Sequence, residues 1–287
     1  MGYGGVEGYP PVTVLARGLT GGEVRFDRPV SSQFVSALLM VAPYAAQDVY
    51  ISLAGPLPSE PYVAMTEHVM RSMGVELVQA ERRRFVIPAG QRYRGGEYSI
   101  EPDASAATYF WAAAAVTGGC VRIEGLRRDS VQGDVGFVDI LARMGCTVGA
   151  GPDYLEVAGP TDGRLRGVDV DLNAMPDTVQ TLAVVALFAE GPTRIRNVAN
   201  LRIKETDRIA ALASELRRLG ARVDEWEDGL SIWPPPKATS ASIETYRDHR
   251  MAMSLAVAGL RVDGLRICGA DCVSKSFPAF FDVLDRL

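Results

Sequence analysis

The sequence predicts a mixed α/β (α+β) fold built from stacked repeats, and two recurring patterns support this prediction. In the first pattern, an amphipathic helical segment ends at a glycine, at Gly74, Gly145 and Gly220, and a short alternating segment follows. A glycine directly after the last apolar-periodic residue is typical of a helix C-cap, and alternation is typical of a strand. A turn and a second predicted strand come next in each case, with the sequences FVIPAG, YLEVAG and LSIWPP.

The second pattern is a polar start followed by an alanine-rich apolar helix and a strand, and it occurs four times. Together the two patterns give a unit of helix, strand, helix, strand and strand. Units of this kind stack on their neighbours because none of them can bury its apolar face alone. The alanine-rich helices are apolar nearly all round, so we expect them inside a bundle with the sheets outside.

Length and composition limit the classes of protein that are possible. A chain of 287 residues with 47% hydrophobic residues is long enough for about two packed domains, which excludes a disordered or fibrous protein. The net charge of −5 argues against nucleic acid as the main partner. The four cysteines have neither zinc-ligand nor disulfide spacing, so no metal site is predicted.

Hydropathy predicts a location for the chain as well. No segment approaches the ~20 apolar residues that a membrane span requires, and the N-terminal sequence is unlike a targeting segment. We therefore expect a cytoplasmic protein without a membrane partner.

Polar and charged residues occupy the predicted helix starts. If the units stack in parallel, these starts converge on one face, where unpaired backbone N–H groups and partial positive charge favour anions. For a single serine or aspartate, capping of its own helix is the alternative explanation. Basic residues are locally unfavourable at a helix start, yet Lys204, Arg208, Arg250 and Lys275 all lie at one. A bound polyanion would account for them.

Eight segments resemble the EPSP synthases, and the resemblance extends over nearly the whole chain. Two of them, KETDR and DHRMAM, are highly specific in this order and spacing. The matching segments are GYPP at 8–11, SSQF at 31–34, SEPY at 59–62, DASAATYF at 103–110, MPD at 175–177, NLRIKETDR at 200–208, DHRMAM at 248–253 and SKSFP at 274–278.

The resemblance implies the enolpyruvyl transferase fold, with two domains that each contain three βαβαββ units and an active site between them. On this basis residues 1–101 are expected to be a remnant of the first domain, which is then incomplete. Residues 102–287 are expected to form a nearly complete second domain, with the hinge near 101–103. The chain is expected to lack the family's N-terminal part, and three explanations stay open: a truncated sequence, a split enzyme, or a residual protein with another role.

The resemblance also implies a reaction. An EPSP synthase transfers the enolpyruvyl group of phosphoenolpyruvate to the 5-hydroxyl of shikimate 3-phosphate and releases phosphate, without a metal or organic cofactor. By motif position, Asp177 matches the proton acceptor and Glu205 the proton donor, and Lys275 shares in the proton transfers. The expected binding residues are Ser31, Ser32, Ser59, Tyr62, Asn200 and Lys204 for shikimate 3-phosphate, and Gln33, Arg208, Arg250 and Lys275 for phosphoenolpyruvate.

Two other functions remain as alternatives. An enzyme similar to UDP-N-acetylglucosamine enolpyruvyl transferase would share the fold and phosphoenolpyruvate, although KETDR and DHRMAM favour the EPSP synthases. A non-catalytic remnant would bind anions without turnover. The expected partners are the two substrates and, for a split enzyme, a separate N-terminal fragment.

Overall fold

The structure is a computed structural model that describes residues 2–27, 29–81 and 83–287. It divides into two compact units, a first unit that ends at Tyr98 and a second unit, Ser99–Leu287. The domain boundary expected from the sequence lies three residues later, between 101 and 102. Each unit is described by itself below.

The first unit is built around one βαβαββ repeat. Strand β3 (Gly22–Phe26) pairs in parallel with β4 (Val49–Leu53). Strand β4 is antiparallel to β6 (Arg84–Ile87), and β6 is antiparallel to β5 (Val78–Glu81), so the sheet order is β3-β4-β6-β5. A separate two-stranded antiparallel ribbon, β1–β2, lies near the N-terminus. The elements are β1 (Gly2–Tyr3), β2 (Val12–Thr13), β3 (Gly22–Phe26), α1 (Ser32–Val41), β4 (Val49–Leu53), α2 (Glu60–Ser72), β5 (Val78–Glu81) and β6 (Arg84–Ile87), with a 3₁₀ turn at Ala42–Tyr44.

Alternation along the strands forms the core of this unit. In β4, Val49, Ile51 and Leu53 point into the core, and the residues between them are half-buried. Helices α1 and α2 pack on each other and contribute residues such as Leu39 and Met70 to the same cluster. The unit therefore encloses a small core of its own.

The second unit contains a complete βαβαββ repeat at residues 169–233, and related elements precede and follow it in the chain. Its strands form the sheets β7-β9-β8 and β11-β13-β15-β14 and the parallel pairs β10-β12 and β16-β17. The helices are α3 (Ala104–Thr117), α4 (Phe137–Arg143), α5 (Val179–Val185), α6 (Arg208–Arg218), α7 (His249–Ala258) and α8 (Phe280–Leu284). The strands are β7 (Cys120–Glu124), β8 (Thr147–Gly151), β9 (Tyr154–Ala158), β10 (Leu165–Arg166), β11 (Asp169–Asp171), β12 (Ala189–Glu190), β13 (Thr193–Arg196), β14 (Arg222–Trp226), β15 (Gly229–Trp233), β16 (Ser242–Glu244) and β17 (Arg266–Cys268).

The three glycines that suggested the repeat close α2, α4 and α6 in the same way. Gly74, Gly145 and Gly220 have φ angles of 81°, 109° and 93°, which disfavour any residue with a side chain. At each helix end, the glycine N–H and the following N–H donate to carbonyls of the last helical turn at 3.0 Å. This pairing is the Schellman motif, and it turns the chain towards the next strand.

The alanine-rich helices α3, α5 and α7 form the interior of the second unit. They pack on one another, and Trp111, Leu182 and Leu255 are completely buried among them. Small alanine side chains allow the helix backbones to approach closely, while the sheets cover the outside. The expectation that the four alanine-rich helices lie inside a bundle is confirmed for these three and wrong for α1, which leaves Phe34, Met40 and Val41 exposed. Within residues 2–27, 29–81 and 83–287, no helix combines the length and the apolar character that crossing a membrane requires.

Because α3, α5 and α7 pack closely, a cavity made between them should lower the free energy of unfolding strongly. Leu182→Ala on α5 should lower the free energy of unfolding by about 2–5 kcal/mol, because it removes buried methyl groups from a site with little room to collapse. Leu287→Ala is the matched control, since that side chain is 64% exposed. Urea unfolding followed by tryptophan fluorescence measures both. Equal losses for the two variants would contradict the proposed packing.

Candidate active site

Three helix starts of the second unit bring charged side chains together. Asp177 lies in the 3₁₀ turn Pro176–Thr178 before α5, Arg208 is the first residue of α6, and Asp248 caps α7. Local capping sets the starts of α6 and α7, because the Asp207 carboxylate accepts from the Ala210 N–H at 3.0 Å and Asp248 accepts from the Arg250 N–H at 2.8 Å. Sequence motifs about 30 to 40 residues apart therefore meet at one place.

The centre of the cluster is the buried guanidinium of Arg208, whose side chain is only 2% exposed. Its Nε donates to Asp248 Oδ2 at 2.7 Å, its Nη1 to Asp177 Oδ1 at 3.1 Å and its Nη2 to Glu205 Oε2 at 2.8 Å. A charge removed from water needs such compensation, and the planar arginine fork can serve three acceptors at once.

Arg250 is the second arginine of the cluster. Its Nη2 donates to Asp177 Oδ2 at 2.9 Å, and its Nη1 lies 3.4 Å from the hydroxyl of Tyr109 on α3. Asp177 thus accepts from both arginines. Burial raises the pKa of Tyr109 to about 12, although the nearby charge of Arg250 opposes this, so the phenol stays neutral.

Glu205 and Lys275 form the outer part of the cluster. Lys275 Nζ donates to Glu205 Oε1, while Glu205 Oε2 faces Arg208. Burial alone would raise the pKa of Glu205, but the hydrogen bond from Lys275 and the charge of Arg208 outweigh it and lower the pKa to about 2. The carboxyl is therefore ionised in this structure, and a role as proton donor requires that it first gain a proton.

A further carboxyl, Asp134, lies close to the cluster and was not identified from the sequence. It belongs to the 3₁₀ turn Gly133–Gly136, and Ser105 Oγ of α3 donates to it. Burial raises the pKa of Asp134 to about 6 against the opposing effect of the Ser105 hydrogen bond, and the negative charge of Asp177 raises it further. The GDVG sequence gives no signal for this burial, because the helix that covers Asp134 is distant in the chain.

Asp248 and Tyr109 were also missed as candidates. Asp248 lies in the DHRMAM motif, and this position was the sequence signal that could have identified it. The structure shows that its side chain is completely buried. Tyr109 is part of the core, and only the structure shows that its hydroxyl reaches Arg250. Burial lowers the pKa of the neighbouring His249, and the charge of Arg250 adds to the effect, so this imidazole is neutral at physiological pH.

The remaining candidates of the second unit are Asn200 and Lys204. Asn200 lies in the 3₁₀ segment Ala199–Ile203. The expectation that Lys204 and Lys275 lie at helix starts is wrong: Lys204 follows the end of that segment, and Lys275 is the last residue of the 3₁₀ segment Ala270–Lys275, where a positive charge is favourable. Neighbouring Arg202 fixes this loop to α6 and β14, since its Nη1 donates to Asp207 at 2.8 Å and to Glu225 at 3.0 Å.

The candidates of the first unit lie at the starts of its two helices. Ser31 caps α1 and accepts from the Gln33 N–H at 3.2 Å, which is the alternative role expected for a serine at such a position. Ser32 is buried and Gln33 is exposed at the same helix start. Ser59 precedes α2 with a left-handed φ of 60°, and half-buried Tyr62 follows it in the first helical turn. These five residues therefore share two helix starts of one unit.

No group of three or more His, Cys, Asp or Glu side chains among residues 2–27, 29–81 and 83–287 is arranged to hold a metal ion. The carboxylates of the cluster converge on Arg208 instead. The chemistry that this arrangement can support is the binding of anions by arginine and lysine and the movement of protons by carboxyls.

Fold and site together define a protein with the enolpyruvyl transferase fold. The structure is similar to the EPSP synthase from Acinetobacter baumannii, with a TM-score of 0.79 and 27% identity over 99% of this chain and 66% of that chain. It shares its fold with the enolpyruvyl transferase NikO from Streptomyces tendae, with a TM-score of 0.75, 22% identity, and 95% and 65% of the two chains covered.

The particular family follows from sequence. The model of the EPSP synthase (3-phosphoshikimate 1-carboxyvinyltransferase) family matches residues 3–284, so the chain belongs to this family. The chain is 49% identical over 281 residues to the 3-phosphoshikimate 1-carboxyvinyltransferase of a Nostoc species, a match that covers 98% of this chain. It spans 65% of the length of that relative.

The Glu205–Lys275 pair predicts a change in titration. Lys275→Met removes a donor and a positive charge, so the pKa of Glu205 should rise by about one pH unit, a modest value because Lys275 is largely exposed. Carbon-13 NMR of the Glu205 carboxyl measures this pKa. Lys237→Met, far from the cluster in sequence, is the matched control. An unchanged pKa in Lys275→Met would show that Lys275 does not hold the carboxyl ionised.

Asp134 predicts a dependence of stability on pH. Because its pKa in the folded chain is raised to about 6, its contribution to stability is complete below about pH 3.8 and is lost as the pH rises through about 6. Asp134→Asn keeps a neutral group of the same shape at every pH. The unfolding free energy of the wild type relative to this variant should therefore fall by roughly 1–3 kcal/mol between about pH 4 and pH 7.

The control for this pH experiment is Asp139→Asn, because the Asp139 side chain on α4 is 58% exposed. Urea unfolding at each pH gives the free energies. A constant difference between wild type and Asp134→Asn across this range would contradict the assignment of a raised pKa.

Proposed function

We propose that this chain carries the proton-transfer and phosphoenolpyruvate-binding groups of a 3-phosphoshikimate 1-carboxyvinyltransferase. The reaction transfers the enolpyruvyl group of phosphoenolpyruvate to the 5-hydroxyl of shikimate 3-phosphate in the shikimate pathway and releases phosphate. The observation that carries the proposal is the cluster around Arg208, in which Asp177, Glu205, Arg250 and Lys275 meet at family motif positions. A cytoplasmic location belongs to the same proposal.

The arginines are suited to phosphoenolpyruvate. Each guanidinium can give two parallel hydrogen bonds to a carboxylate or a phosphate. Arg208 and Arg250 are already oriented by Asp177, so little side-chain freedom is lost on binding. Gln33 and Lys275 complete the proposed set for this substrate, and Ser31, Ser32, Ser59, Tyr62, Asn200 and Lys204 are proposed for shikimate 3-phosphate.

Charge balance explains how Glu205 can act as an acid. The cluster holds three cationic and three carboxylate side chains, namely Arg208, Arg250 and Lys275 with Asp177, Glu205 and Asp248. An added polyanion competes for Arg208 and Lys275, the two groups that lower the pKa of Glu205. Binding of phosphoenolpyruvate is therefore expected to raise that pKa and to bring a proton to Glu205.

The proposed steps are an addition and an elimination. Asp177 takes the proton of the 5-hydroxyl while the oxygen of that hydroxyl bonds to C2 of phosphoenolpyruvate. Glu205 protonates the methylene carbon. In the elimination, the C2–O bond to phosphate breaks, Asp177 passes its proton to the leaving phosphate, and the new methyl group returns a proton to Glu205. Lys275, in contact with Glu205, assists these transfers. The cluster supplies one acid and one base for both steps.

The activity of the whole protein is proposed to need more than this chain. The chain spans 65% of the length of its relatives, and α1 and α2 leave Phe34, Met40, Val41 and Val69 exposed. An exposed apolar face of this kind fits a surface that another part of the family's first domain covers. We propose that residues 1–101 are part of this first domain and that residues 102–287 form the second domain.

The test is a phosphate-release assay with both substrates, run on the chain alone and with the N-terminal third of the Nostoc relative supplied. Turnover should appear only in the combined sample, because loss of one wall of the site misplaces the reactants. Glu205→Gln in the combined sample should lower turnover by about 10²–10⁴-fold, as for a lost general acid. Glu124→Gln, at the end of β7, is the matched control.

Three outcomes would count against the proposal. Full activity of the chain alone would refute the need for a further segment. Phosphate release with UDP-N-acetylglucosamine but not with shikimate 3-phosphate would favour the related enzyme. Stabilisation by shikimate 3-phosphate without turnover in the combined sample would favour a non-catalytic anion-binding protein.

A further inference from the structure

The turn between β16 and α7 holds two consecutive residues in the left-handed region. Tyr246 has a φ of 54° and Arg247 a φ of 57°, and neither residue is a glycine. L-residues disfavour this conformation, and it persists where surrounding contacts determine it. Asp248, which caps α7 and receives Arg208, follows directly. The turn therefore sets where Asp248 lies.

One buried carboxylate binds both this turn and the last residue of the strand before it. Glu215 on α6 is completely buried, and its Oε1 accepts from the Tyr246 hydroxyl at 2.7 Å. Its Oε2 accepts from the backbone N–H of Glu244 at 3.2 Å. Arg218 Nε lies 3.7 Å from the carboxylate and partly compensates its charge. Burial raises the pKa of Tyr246, and the hydrogen bond to Glu215 raises it further, so the phenol keeps its proton as donor.

Helix α6 contacts the same turn at a second point. Arg208 and Glu215 lie seven residues apart, which places them two turns apart on one face of the helix. Arg208 donates to both oxygens of Asp248, at 2.7 and 3.3 Å, while Glu215 holds Tyr246. Two contacts with α6 thus hold Tyr246 and Arg247 in place: Glu215 binds Tyr246 itself, and Arg208 binds Asp248, the residue that follows.

We propose that Glu215 and Tyr246 are positioning residues for the anion site. They hold the left-handed turn in place, so that Asp248 meets Arg208 and starts α7 with Arg250 directed at Asp177. Both residues act through the turn and Asp248. The inference rests on the proposed role of Arg208 and Arg250 in binding phosphoenolpyruvate, whereas the effect on Arg208 itself can be measured without that ligand.

The first measurement is hydrogen exchange of arginine Nε–H groups in the nitrogen-15-labelled 287-residue chain. Tyr246→Phe removes only the hydroxyl, and exchange of the Arg208 Nε–H should become about three- to tenfold faster, the range expected for one lost hydrogen bond. The Arg202 Nε–H, which donates to the Glu227 carbonyl at 2.9 Å, is the internal reference and should not change. Tyr154→Phe on β9 is the matched control.

The second measurement is the affinity for phosphoenolpyruvate, by calorimetry on the combined sample that contains the N-terminal third of the Nostoc relative. Tyr246→Phe should weaken binding by a similar factor, whereas Tyr154→Phe should bind like the wild type. Asn tolerates the left-handed region better than Arg, so adding Arg247→Asn to Tyr246→Phe should move both exchange and affinity back towards the wild type.

The outcomes separate this inference from the proposed function. Faster exchange at Arg208 and Arg202 alike would replace the positioning role with a general structural one. No change at either would overturn the positioning role. Faster exchange at Arg208 with unaltered phosphoenolpyruvate affinity would overturn the link to the anion site. A wild type that does not bind phosphoenolpyruvate while Arg208 exchange still responds would refute the proposed function and retain the link between Tyr246 and Arg208.

Discussion

The second unit is arranged so that carboxylates compensate the charge of one buried guanidinium. Arg208 is removed from water by the packing of the helix bundle, and three carboxylates from three segments of the chain must reach it. An unpaired charge at this depth would be strongly destabilising, so the helix starts that carry Asp177 and Asp248 have little freedom to move. The same contacts that satisfy Arg208 bring Arg250 and Glu205 into reach of one another. The charged site is therefore complete only when this unit is fully folded.

This constraint also determines how the site responds to charge. The six charged groups balance within the cluster, and the outermost pair, Glu205 and Lys275, is the more accessible part. An arriving anion therefore alters Glu205 more readily than the buried Asp248. The deep groups hold the geometry, and the outer carboxyl changes its protonation. The division follows from burial, since the electrostatic effect of a new charge on a group depends on the water around both.

Much of the fold could be predicted from the sequence because its signals are local. Gly74, Gly145 and Gly220 mark helix ends whose hydrogen bonds involve only neighbouring residues, and the Schellman motifs confirm them. The sequence of α3 is apolar nearly all round, and this predicted its burial for the same reason. The low pKa of Glu205 could not be predicted, since it depends on Lys275, which is 70 residues away. Asp134 and the left-handed Tyr246 were missed because contacts with other helices, and not their own sequence, fix them.

The Arg208 cluster has a consequence for the order in which the chain folds. Its ion pairs to Asp177 and Asp248 join residues 31 and 40 positions apart, so long loops must close before any of them forms. The Schellman turns, by contrast, need only a single helical segment. We expect the glycine-capped helices to be populated early and the ion pairs to form after the main kinetic barrier. In that case the cluster slows unfolding and contributes little to the rate of folding.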